Sequence, residues 1–60
     1  MSNFDAAVGW YYAARTAYNA SRTALYVDKA LAIEFACSSI ESLAVALKYL
    51  RETKSEFGQS

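Results

Sequence analysis

Proline and histidine are absent from this 60-residue chain, cysteine occurs once, and glycine twice. Without histidine, the usual Ser-His and Cys-His nucleophile pairs cannot be assembled, and one thiol with no imidazole is a poor start for a metal site. Cys37 has no second cysteine to pair with, so no disulfide can staple the fold. Six basic and six acidic residues cancel, so no global field steers the chain toward nucleic acid or anionic lipid. No uninterrupted apolar run reaches the roughly 18 residues of a membrane span, and MSNFDAA lacks a basic n-region leading into an apolar core. A cytoplasmic protein with no membrane partner is the expectation.

Aliphatic and aromatic side chains are abundant: 55% of the residues are hydrophobic and 20% charged. At this length a folded chain buries only about 60% of its unfolded surface, so a lone monomer is marginal and dimerisation is a natural remedy. Dense alanine and the absence of proline favour helix over strand. Ser2 followed by Asp5 suits a helix start, and Asp28 suits a second one. These signals predict an all-α antiparallel hairpin of two long helices, about 3–26 and 29–56, in one domain spanning 1–60 with a frayed tail at 57–60. A turn at Asn19–Arg22, with Ser21 as the cap, is the competing connection, and one unbroken helix is a third. Ser38-Ser39-Ile40-Glu41 also has the form of a capping box, but the apolar period runs through it without a phase shift, so the serines are expected mid-helix. Gly58 suits a C-cap and Phe57 a residue that closes the core.

Each predicted helix carries two seams. On the second, Tyr26, Ile33, Ile40 and Leu47 recur every seven residues with Ala36, Leu43 and Leu50 between them, the a/d pattern of a helix packed along its length. Its outer seam is Leu31, Phe35, Ser38, Ser42, Val45 and Tyr49. The first helix alternates large and small along Phe4, Ala7, Tyr11, Ala14, Tyr18, Ser21 and Leu25, leaving holes for large side chains of helix two. Its other seam, from Ala6 through Trp10, Ala13 and Ala17 to Ala20 and Ala24, is mostly small. The outer seam of helix two is therefore expected to form a dimer interface, completing a four-helix bundle. One route crosses two copies about residue 41, with Glu34 opposite Lys48 of the other copy. The other lays the outer seam on the alanine face of the second copy's first helix.

Little chemistry remains. Glu34 and Glu41 lie seven apart without further ligands and read as a solvated face; Cys37 reads as a buried, inert side chain at the edge of the main seam. No phosphate-cradling loop or CxxC pair occurs. Catalytic, cofactor and metal sites are thus expected to be none, and an enzyme is not expected. Tyr12, Arg15, Asn19 and Arg22 are the candidates for binding a partner, being aromatic and basic residues on or beside the polar stripe of helix one. The reading is a small helical protein-interaction module, a homodimeric regulator or inhibitor of another protein, with the economy of a bacterial or phage accessory factor. Its rival is a nucleic-acid-associated regulator that uses the Arg15/Arg22 flank, with Lys29 joining that stripe only if the helix ran on.

Overall fold

A computed structural model describes residues 2–58 and shows an all-helical chain of two helices packed on each other: α1, Asn3–Ala24, and α2, Lys29–Phe57. Ser2 starts α1 from extended backbone, its Oγ accepting the Asp5 N–H at 3.1 Å, while Asp5 places a carboxylate in the first turn. α1 stops two residues short of the expected end. There the Tyr26 and Val27 N–H groups turn back to the carbonyls of Thr23 and Ala24, a tightening into three-residue spacing. Asp28 then breaks the helical path with extended backbone and caps α2, its Oδ1 accepting from Ala30 at 3.0 Å and Leu31 at 3.3 Å. The connection is therefore the one predicted at Asp28, and Asn19–Arg22 stays helical. α2 runs unbroken through Ser38 and Ser39. Of the expected tail 57–60, Phe57 still belongs to α2 and Gly58 caps it; residues 59 and 60 lie outside the described part of the chain.

The packing between helices differs from the expectation. Ala7, Ala14 and Ala24 of α1 are buried against Ala32, Ser39, Ser42 and Ala46 of α2. Among the described residues no large side chain is fully buried. The holes between the rings of α1 do not receive the large residues of α2. The stripe that faces α1 is a small one, Ala32, Ser39 and Ala46 from between the two predicted seams with Ser42 from the outer one, and it brings the backbones close enough for hydroxyls to bridge them. Ser39 Oγ donates to the Ala14 carbonyl at 2.9 Å, and Ser21 Oγ donates to the Ala32 carbonyl at 2.7 Å. Both bonds obey one register, which also sets Ala7 opposite Ala46. At the open end Asn3 Nδ2 donates to Glu56 Oε1. Thr16, Thr23 and Thr53 return their hydroxyls to the carbonyl four residues earlier and leave no donor unmet.

Two further expectations fail for the same reason. Cys37 is exposed rather than buried, because the stripe that faces α1 lies well around the helix from it. Phe57 closes no core and stays 78% exposed. Short side chains make a thin seam, so the hairpin is a slab of 50 × 15 × 12 Å. Its radius of gyration, 14.2 Å, is well above the roughly 10 Å of a compact chain of this length.

Candidate interaction surface

The seven-residue repeat of Ile33, Ile40 and Leu47 lies on one broad face of the slab, with Leu43 and Leu50 beside it. These long apolar side chains of α2 stand in solvent: Ile40 is 67% exposed and Ile33 58%. Farther along α2 the surface hollows. Ala7 and Ala46 form the floor of a groove walled by Val8 and Tyr11 of α1 and by Leu43, Leu47 and Leu50 of α2, about 370 Å³ in volume and almost wholly apolar. Alanine explains the depth: two methyls facing each other leave a trough that larger residues on either side only border. A second hollow continues the first along Tyr11, Ala14, Arg15, Tyr18, Ser39 and Leu43.

Cations rim this face on the α1 side. The Arg15 guanidinium carbon stands 5.9 Å from the centre of the Tyr11 ring, and that of Arg22 stands 5.8 Å from Tyr18. Both are within cation–π range, and both arginines are exposed. The Tyr11 and Tyr12 rings tilt against each other at 6.0 Å.

The four partner-binding candidates divide between neighbouring surfaces. Tyr12 and Asn19 are exposed on the polar stripe, where the sequence placed them. Arg15 stacks on Tyr11. Asn19 and Arg22 share a shallow polar hollow with Thr23, Leu25 and Tyr26 near the turn. Lys29, as the first residue of α2, leaves the basic stripe. The six candidates for a dimer interface are also divided. Ser42 is buried within the hairpin, while Phe35, Val45 and Tyr49 are half-buried; Leu31 and Ser38 are exposed. Most of that seam is thus already partly covered inside one chain. The Ile33-Ile40-Leu47 repeat is plain in the sequence, but as the stronger apolar stripe it reads as the inside of the hairpin, and the groove beside Leu47 does not follow from it.

Among the described residues no cluster of Cys, Asp and Glu is arranged to hold a metal ion. α2 is long and apolar enough, by length and composition alone, to cross a membrane: an 18-residue stretch has mean hydropathy 1.6 and is 22% buried. An uninterrupted run is a stricter requirement, and Glu34 and Glu41 prevent one. No protein-family model matches the chain, and no curated protein or solved structure matches it either.

Proposed function

We propose that this chain is a helical protein-interaction module that works as a homodimer and regulates or inhibits another protein. The observation behind this reading is the inverted burial. Alanine and serine are inside, while Tyr11, Ile33, Ile40, Leu43, Leu47 and Leu50 are outside on one face. A 6.6 kDa compact monomer exposes about 3,900 Å², whereas this hairpin exposes 4763 Å². The excess, about 900 Å², is close to the roughly 800 Å² that each partner contributes to a standard protein interface. In a homodimer the apolar face is spent on assembly, leaving Tyr12, Asn19 and Arg22 for the target protein. The test is a comparison of wild type with Tyr12→Ala/Arg22→Ala: the variant keeps its mass in solution but loses the target that wild type retains. Equal retention by both would remove these residues from the binding surface.

A second reading, nucleic-acid association through Arg15 and Arg22, draws on their placement one heptad apart on one flank, neither engaged in an ion pair among the described residues. Two phosphate contacts predict binding whose logarithm falls with the logarithm of salt concentration at a slope of about −2. Salt-insensitive binding to the target would count against it.

A further inference from the structure

We infer that the second copy docks on the groove face, with α2 crossing α2 antiparallel about a two-fold axis level with the gap between Glu41 and Ser42. This rests on the homodimer reading above and adds which face is used and in what register. The exposed knobs and the hollow occupy opposite halves of the same helix. Ile33 and Ile40 project from the N-terminal half of α2, while the groove beside Leu43, Leu47 and Leu50 lies in the C-terminal half. Only an antiparallel pairing lets each copy fill the other's groove with its own knobs. Such a two-fold contact is self-complementary and closes at two chains.

The heptad sets the register. Placing Ile40 opposite Leu43 of the other copy also puts Ile33 opposite Leu50 and Ala36 opposite Leu47. Every a position then meets an apolar d position over most of the helix. Large meets small at Ala36 and Leu47, as interdigitation requires. Glu34 and Glu41 sit well around the helix from this seam, so the carboxylates are not forced together. The like charges this register does bring opposite each other, Lys29 and Lys54, lie at the exposed rims.

α1 follows without adjustment. The hairpin register set by the Ser39–Ala14 and Ser21–Ala32 bonds carries the same axis through α1 between Tyr11 and Tyr12. Phe4 then lies level with Asn19 of the other copy, one residue from Tyr18, and the two Tyr11 rings meet near the axis. Near the axis both helices present apolar or aromatic side chains, and Arg15, stacked on Tyr11 at the rim, comes level with Val8 of the other copy, which gives a four-helix bundle joined face to face.

Single-cysteine variants test this. In a Cys37→Ser background, Leu43→Cys, Ile40→Cys and Ser38→Cys are each treated with a short bifunctional maleimide, with the mass of the parent protein measured alongside. Ser38 lies within one turn of the axis, but on the opposite face. The inference predicts several-fold more cross-linked dimer from Leu43→Cys and Ile40→Cys than from Ser38→Cys. Two positions are used because either substitution alone could weaken the seam. A dimeric parent that cross-links best through Ser38→Cys, or through none of the three, overturns the assigned face while leaving the homodimer standing. A parent of monomer mass, in buffer or taken up as a single hairpin by phosphatidylcholine vesicles, overturns both.

Discussion

Ser39 on α2 donates its hydroxyl to the backbone carbonyl of Ala14 on α1, 2.9 Å away in the buried seam. A side chain of two heavy atoms spans the helices there, so the separation is set by the smallest residues and leaves no room for larger ones. Ser39→Ala should lower stability by about 1 kcal/mol, the net worth of one such bond. Ser39→Leu should lose about 1–3 kcal/mol or more through overpacking. Urea denaturation at fixed chain concentration reads both; a tolerated leucine would mean that the seam is looser than described.

The turn offers a second check. Asp28 caps α2 with two accepted N–H bonds, so Asp28→Ala should destabilise by about 1 kcal/mol and Asp28→Asn by much less. Thermal unfolding followed by circular dichroism ranks the two variants.

Gly9 sits in the middle of α1, and a methyl added there meets nothing within 4 Å. Gly9→Ala should therefore raise stability by about 0.5–1 kcal/mol, since glycine loses more backbone freedom in a helix than alanine does. A lower denaturation midpoint would show that something packs against Gly9 in the assembled protein.

The hairpin was legible in the sequence because its signals are local. Ser2, Asp28 and Gly58 act within a turn of themselves, and the unbroken period through Ser38 and Ser39 outweighed a four-residue capping motif. Which stripe faces inward is not a local property. Ile33, Ile40 and Leu47 form the stronger apolar repeat, and burial of the largest side chains is the usual rule. Close approach of backbones at Ala7, Ala14, Ala32 and Ala46, reinforced by two serine hydroxyls, prevailed instead. Cys37 and Phe57 were misplaced along with that stripe, and the groove was unforeseeable until the alanines were known to form its floor.

Arg15 and Arg22 separate the two functional readings. Arg15→Ala/Arg22→Ala should keep the fold and lower stability by no more than about 1 kcal/mol, since each exposed arginine gives up only a solvent-facing cation–π contact. If nucleic acid is the partner, fluorescence anisotropy with a labelled duplex will show wild-type binding that the variant loses and that salt suppresses. The protein-interaction reading predicts no binding by either at physiological salt.

Sedimentation equilibrium of the intact chain across a range of concentrations, beside Leu47→Glu, tests the central claim most directly. The account predicts a wild-type mass twice the 6.6 kDa chain, and a variant that is monomeric, less helical and less stable, because a carboxylate on the groove wall faces an apolar seam. A wild type that sediments as a stable, cooperatively folded monomer, with Leu47→Glu indistinguishable from it, would contradict the account.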